Sequence, residues 1–192
     1  MISSAIVLLA MISQPAPPRL HVPLAFDAGA TPAFEAAVAE EAARVWAPYG
    51  IALEKSPADS PCHSGTVTLH IAMAQTPDRG TNPHALGSIV FAEGAPERRI
   101  SLYVATAADL VSAATHNDPS HWPVAYRDAI LSRVLGRALA HEIGHYVLNA
   151  RTHSESGLMR AVQPVAELME LRDTNLALSP ADVATLSKVL MS

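Results

Sequence analysis

Short apolar stretches recur along the first 105 residues, and they predict strands of a sheet. The clearest is TVTLHIAM, residues 66–73, where every second residue from Val67 to Met73 is apolar and faces one side. The last two stretches flank the turn EGAPE, which favours a hairpin or adjacent strands. The predicted strands cover residues 20–27, 51–55, 66–73, 86–92 and 98–105.

Helical spacing replaces alternation in the second half of the chain. Over residues 123–149 one apolar stripe recurs every fourth residue, and a neighbouring stripe is continued by His141 and His145. We expect this helix in the middle of the domain, with Arg133 and Arg137 on its solvent side. Further helices are predicted from Pro32 to Trp46 after a cap at Thr31, over residues 107–114 and 164–171, and over residues 180–190 after a cap that pairs Ser179 with Asp182.

The order of these elements predicts one α/β (α+β) domain with a mixed sheet over residues 20–192, because neither an internal repeat nor a long linker divides the chain. The chain has 192 residues, of which 49% are hydrophobic and 16% charged, as is typical of a compact globular protein. The net charge is −5 and no basic run is present. This composition argues against a nucleic-acid partner.

The N-terminal stretch SAIVLLAMI, residues 4–12, resembles the hydrophobic region of a secretory signal and is too short to span a bilayer. No Lys or Arg precedes it, and no small-x-small cleavage site follows. We expect residues 1–19 to be a signal segment or a flexible tail, and the protein to be secreted or periplasmic. The single Cys62 cannot form an internal disulfide, so we expect a buried thiol or a loop thiol that pairs externally.

The stretch HEIGHYVLNARTHSESGLM, residues 141–159, carries the candidate chemistry. His141 and His145 are four residues apart on a helix, so two imidazoles on one face can bind one metal ion, and Glu142 can reach a water at that metal. A helix that merely carries two histidines is the alternative, and the core-facing position of the pair argues against it. A catalytic zinc keeps three protein ligands, and the candidates for the third are His153, Glu155, Glu167 and Glu170.

This stretch resembles the metzincin zinc metallopeptidases, whose pattern is H-E-x-x-H-x-x-G-x-x-H followed by a turn with a methionine beneath the metal. His141, Glu142 and His145 match, and His153 and Met159 correspond in kind to the third ligand and the methionine. The spacing differs, because Leu148 stands at the glycine position and seven residues instead of five separate His145 from His153. The helix must therefore break, and Asn149 is the best place since Asn tolerates the left-handed conformation.

The resemblance implies a metzincin-like domain, with a mostly parallel sheet and an antiparallel edge strand at residues 86–92 that pairs with a peptide substrate. It implies one Zn²⁺ held by His141, His145 and His153, and peptide-bond hydrolysis by a zinc-bound water with Glu142 as general base. Met159 would form an apolar floor beneath the three ligands. We expect a monomer that acts on a peptide or protein, without a stable membrane span.

Two alternatives stay open at the level of sequence. A gluzincin-type peptidase would use Glu167 or Glu170 as the third ligand, and a catalytically inactive protein would use zinc as a binding or structural module. The remaining histidines are interpreted as surface or loop residues, Tyr103 and Tyr126 as core residues, and Arg160 as the partner of a nearby carboxylate.

Overall fold

The computed structural model describes residues 20–27, 29–56, 67–171 and 176–191. The strands in these ranges are β1 (Leu20–Phe26), β2 (Ile51–Lys55), β3 (Leu69–Ala74), β4 (Gly87–Ala92) and β5 (Ala95–Tyr103). The α-helices are α1 (Pro32–Trp46), α2 (Val104–Thr115), α3 (Val124–Val147), α4 (Val165–Met169) and α5 (Pro180–Met191). Two single 3₁₀ turns, Ala47–Tyr49 and Pro119–His121, complete the regular structure of these ranges.

The five strands form one mixed sheet in the order β2-β1-β3-β5-β4. All neighbouring pairs are parallel except β4 with β5, so the predicted mostly parallel sheet with an antiparallel edge strand is confirmed. Glu93 and Gly94 connect β4 to β5 with φ of 52° and 87°. Two successive positive φ values are the geometry of the tight hairpin turn that matches strand twist.

Buried residues alternate with more exposed ones along β3, and the buried residues of this strand face the core. Leu24, Leu69, Ile71 and Ile100 are fully buried on that face of the sheet, whereas the opposite face carries polar residues such as His70. Helices α1 and α3 cover the buried face and pack against each other. Burial of this apolar surface is the main contribution to stability, at roughly 25 cal/mol per Å².

The contact between α1 and α3 is close because α3 has a glycine at the crossing. A Cβ at Gly136 would overlap the side chain of Glu41 and approach the carbonyl oxygen of Val38 at 2.7 Å. One turn further along α3, the indole N–H of Trp46 donates to the carbonyl of Ala140 at 3.0 Å. The helix that carries the histidine pair is therefore held rigidly against α1.

Two residues lie in environments that differ from the prediction. Arg137 was expected on the solvent side of its helix, but α1 and α4 cover that side, and the side chain is 2% exposed. Tyr126 was expected in the core, but it is 55% exposed and contacts Trp122 near the start of α3. Both errors have the same cause, since the spacing within one helix does not show which other elements pack on it.

The predicted element boundaries differ from the observed ones by a few residues. Helix α2 begins at Val104, directly after β5, instead of at residue 107. Strand β3 begins at Leu69, and Thr66 lies outside the described residues, as do the predicted signal segment and Cys62. No described helix combines the length and the hydropathy that a membrane span requires.

Candidate metal centre

Three histidines converge where α3 ends. His141 and His145 lie on α3, and His153 lies on the loop that follows it. Each offers a ring nitrogen within 4.8 Å of the other two, a group that could hold a metal ion. The ring centroids are 4.8, 5.2 and 4.9 Å apart for the pairs 141–145, 141–153 and 145–153. The loop therefore returns to the helix face, as the prediction requires.

The hydrogen bonds of the two helical histidines assign their tautomers. His141 Nδ1 lies 2.7 Å from the carbonyl oxygen of Leu158, and His145 Nδ1 lies 2.6 Å from that of Ala150. A carbonyl oxygen only accepts, so each Nδ1 carries the hydrogen and each Nε2 of a neutral ring has a free lone pair. The two Nε2 atoms face each other at 3.1 Å. Two lone pairs at this distance repel, and a cation between them relieves the repulsion.

Both rings are kept neutral by their surroundings. Burial lowers the pKa of His141 to about 4, although the hydrogen bond to Leu158 opposes this shift. Burial also lowers the pKa of His145. Neutral imidazole is the form that binds metals, so the Nε2 atoms of both rings could bind a metal ion at neutral pH.

The end of α3 has the hydrogen bonds of a Schellman motif. Ala150 N–H donates to the carbonyl of His145 and Asn149 N–H donates to that of Tyr146, both at 3.2 Å, while Asn149 has φ of 48°. The prediction that the helix breaks at Asn149 is confirmed. The motif also orients the imidazole of His145, because Ala150 O, one residue past the break, accepts from its ring.

Met159 packs against α3 at Gly144 and is 1% exposed. Gly144 stands between the two histidines on α3, and a Cβ there would overlap the Met159 sulfur. The methionine reaches this position only because residue 144 lacks a side chain. Sequence reasoning missed this role of Gly144. A glycine inside a helix lowers the stability of the helix by about 1 kcal/mol relative to alanine. A glycine at this position of the sequence therefore indicates that another residue packs closely against the helix there.

Glu142 is 8% exposed and lies against the edge strand β4. A Cβ at Gly87 would come within 3.1 Å of Glu142 Cγ, so the strand approaches this closely because residue 87 is glycine. Burial raises the pKa of Glu142 to about 8, and a hydrogen bond from the backbone of Ile89 opposes the shift. The carboxyl group is thus desolvated and directly beside the metal-ligand candidates in sequence.

The other candidate ligands do not join the histidines in the described part of the chain. Glu167 accepts a hydrogen bond from Arg160 Nη2 at 2.8 Å, which confirms the predicted pairing of Arg160 with a carboxylate. Glu155 and Glu170 are exposed and contribute no ligand to the group. Tyr103 is buried, as predicted, and shares a hydrogen bond with Ser88 at 2.7 Å.

The sequence matches no protein-family model and no curated protein. The structure is similar to the crystal structure of archaemetzincin from Methanopyrus kandleri, with a TM-score of 0.57. The match covers 93% of this chain and 99% of that chain at 14% sequence identity. The fold is that of archaemetzincin. At this identity the similarity shows the fold alone.

A cleft of about 590 Å³ runs over the histidines, in the archaemetzincin-like fold, between β4 and α3. The edge strand forms one wall with residues from Leu86 to Phe91, and residues 160–163 form part of the other. His84 lies at the rim and is exposed, as are His21, His70, His116 and His121, whereas His63 lies outside the described residues. The group of three histidines is therefore accessible from a cleft that the edge strand lines.

Proposed function

We propose that the protein is a zinc-dependent metallopeptidase. The observation that carries this proposal is the convergence of three histidine nitrogens in a cleft, next to a buried glutamate and beside a strand edge that pairs with no further strand in the described part of the chain. The similarity of the fold to archaemetzincin supports it. Glu167, one of the alternative ligands, accepts a hydrogen bond from Arg160 and is not part of the group that could hold a metal ion in the described residues. The geometry thus favours the metzincin-like arrangement over the gluzincin-like one.

The donor set fits zinc. His141, His145 and His153 would hold one ion by three nitrogens, the usual number in a catalytic site, and leave a position open toward the cleft. Zinc bound there supplies a Lewis acid and lowers the pKa of water toward neutrality. The Nδ1 hydrogen bonds of His141 and His145 to backbone carbonyls fix the ring orientations, as outer-shell partners of metal ligands do.

Glu142 would transfer the proton that the attacking water loses. Its carboxylate would accept a proton from the attacking water and donate it to the leaving amine. Desolvation favours the protonated carboxyl, and this strengthens the carboxylate as a base near neutral pH. The backbone N–H of Ile89 donates to the carboxylate and holds it against the edge strand.

The substrate would be a peptide that adds a strand to β4. In the described part of the chain this strand pairs with β5 on one side only, and its other side faces the cleft. Main-chain hydrogen bonds to such an edge bind an extended peptide independently of its sequence. Met159 would support the site from below as an apolar floor. Export through residues 1–19 and a monomeric state stay predictions.

The proposal is tested by chelator-sensitive cleavage of a mixed peptide library by the purified protein. We expect one zinc per chain, cleavage that stops with a chelator, and recovery when zinc is restored. Glu142→Gln should keep the zinc and lower turnover at least ~100-fold, the usual scale for a general base. A zinc-loaded wild-type protein that cleaves no peptide would indicate an inactive binding module instead.

A further inference from the structure

The third histidine is positioned differently from the other two. The rings of His141 and His145 each have a hydrogen bond to a backbone carbonyl. Within the described residues the ring of His153 contacts the other two rings but has no hydrogen bond, and the residue is exposed. Its position therefore depends on the backbone of its own loop.

The residue after His153 fixes that loop. The Ser154 hydroxyl donates to both carboxylate oxygens of Asp182, at 2.9 and 2.8 Å. The Ser154 N–H donates to the carbonyl of Met159 at 2.8 Å. The bond from the Ser154 N–H thus ties the loop to the segment that contains Met159. The bonds from the Ser154 hydroxyl tie it to the last helix.

Asp182 belongs to the N-terminal cap of α5. Its carboxylate also accepts from the Ser179 hydroxyl at 2.7 Å, and its own N–H donates to that hydroxyl at 3.2 Å. The sequence predicted this cap, and the structure adds Ser154 to it. A carboxylate accepts several hydrogen bonds, and bonds to a charged acceptor are stronger than those between neutral groups.

The last helix is attached to the rest of the protein through one buried residue and through the segment that precedes it. Leu186 of α5 is buried in the core. The segment that leads into the helix is held at two points, since Leu158 N–H donates to Ala177 O at 2.9 Å and Leu178 N–H donates to the Tyr49 hydroxyl at 2.7 Å. The position of Asp182 is thereby linked to the main body of the protein.

We propose that Asp182 is a positioning residue for the third metal ligand, acting through Ser154. This inference rests on the proposed metal site. Its carboxylate holds the loop so that His153 meets the other two imidazoles before any metal arrives. Without the hydrogen bond between Ser154 and Asp182, His153 would be mobile and only two histidines would be held in place. Such a site binds zinc more weakly, because the entropy lost when the loop becomes ordered opposes binding.

The test compares zinc affinity, measured by competition with a chromophoric chelator, with thermal unfolding of the zinc-free protein. We expect Ser154→Ala and Asp182→Ala to weaken zinc binding 10- to 100-fold, the scale for removal of an outer-shell partner. The double variant should bind zinc like Asp182→Ala alone, because the two substitutions remove the same hydrogen bond. Ser154→Thr keeps the hydroxyl and should bind like the wild type.

Ser179→Ala is the matched control, since it removes a bond of the cap but leaves the bond between Ser154 and Asp182. It should lower the unfolding temperature and leave zinc affinity within about twofold. The proposal is overturned if Ser154→Ala and Asp182→Ala bind zinc like the wild type, or if Ser179→Ala weakens binding as much as they do. A wild-type protein without zinc affinity would instead contradict the proposed function.

Discussion

At the scale of single residues, His145 shows how one side chain serves two purposes. Its carbonyl accepts the hydrogen bond that closes α3, and its ring donates to the residue that makes this bond, Ala150. The end of the helix and the orientation of the imidazole therefore depend on the same local structure. Asn149 makes both possible because it adopts a positive φ without a glycine.

The identity of the third ligand is tested by single substitutions. His153→Ala should lower zinc affinity by at least 10-fold, because it removes a nitrogen from a group of three. Glu167→Ala should leave affinity nearly unchanged, because its carboxylate pairs with Arg160. Zinc competition with a chelator measures both. The opposite result would restore the gluzincin-like interpretation.

Gly144 is the residue at which packing and function meet most closely. Gly144→Ala should destabilise the protein by about 1–3 kcal/mol, the usual cost of overpacking, because the new methyl group overlaps Met159. In a Met159→Ala background the same change should be neutral or stabilising, since alanine is the better helix former. Urea unfolding of the wild type, the two single variants and the double variant gives the coupling free energy between positions 144 and 159. Equal effects in both backgrounds would contradict the contact.

At the scale of elements, a buried ion pair joins three helices around the site. Arg137 of α3 donates from Nε to Glu41 of α1 at 2.8 Å, and from Nη1 to the carbonyls of Glu167 and Leu168 in α4 at 3.0 and 3.1 Å. Arg137 and Leu168 both line the cleft. Arg137 therefore connects α3 both to α1 and to α4 beside the cleft.

Removal of the carboxylate from this pair should be costly. We expect Glu41→Ala to destabilise the protein by about 1.5–3 kcal/mol, because it removes a buried hydrogen bond between two charged groups, the carboxylate of Glu41 and the guanidinium of Arg137. Glu40→Ala is the control, since Glu40 is the preceding residue of α1 and is exposed. It should change the free energy of unfolding by less than about 0.5 kcal/mol. Similar losses for both variants in chemical unfolding would show that the pair contributes little.

At the scale of the whole molecule, the site makes the stability of the zinc-free protein depend on pH in two opposite ways. Burial lowers the pKa of His141 from 6.5 to about 4, so between these values the unfolded chain binds more protons and acid favours unfolding. Burial raises the pKa of Glu142 from 4.5 to about 8, so over that range the folded state binds more protons and alkali favours unfolding.

Stability of the zinc-free wild type should therefore fall as the pH rises from 6.5 to 8, by up to about 1.4 kcal/mol per pH unit from Glu142 alone. Glu142→Gln cannot ionise and should lack this fall. Below pH 6.5 the variant should lose stability through the histidines, whereas in the wild type the uptake of a proton by Glu142 in the folded state offsets much of that loss down to about pH 4.5. Denaturant unfolding in the presence of a chelator measures the difference. Parallel curves above pH 6.5 would show that Glu142 is not desolvated.

The sequence alone determined the features that depend on neighbours along the chain. Alternation defined the strands, the spacing of His141 and His145 put both on one helical face, and Asn149 ended the helix. The cap between Ser179 and Asp182 was likewise predicted and observed. Such features follow from helix geometry, strand pleat and backbone preference, which act over a few residues and need no knowledge of the fold.

Only the tertiary structure decided which distant residues meet. It placed Arg137 in the core against Glu41, Met159 against Gly144, and Ser154 against Asp182. It also showed that Glu142 is buried against the edge strand. These contacts depend on how the sheet and helices pack, and spacing within one element contains no information about what covers it. The physical reason is that burial and charge pairing are properties of the assembled core.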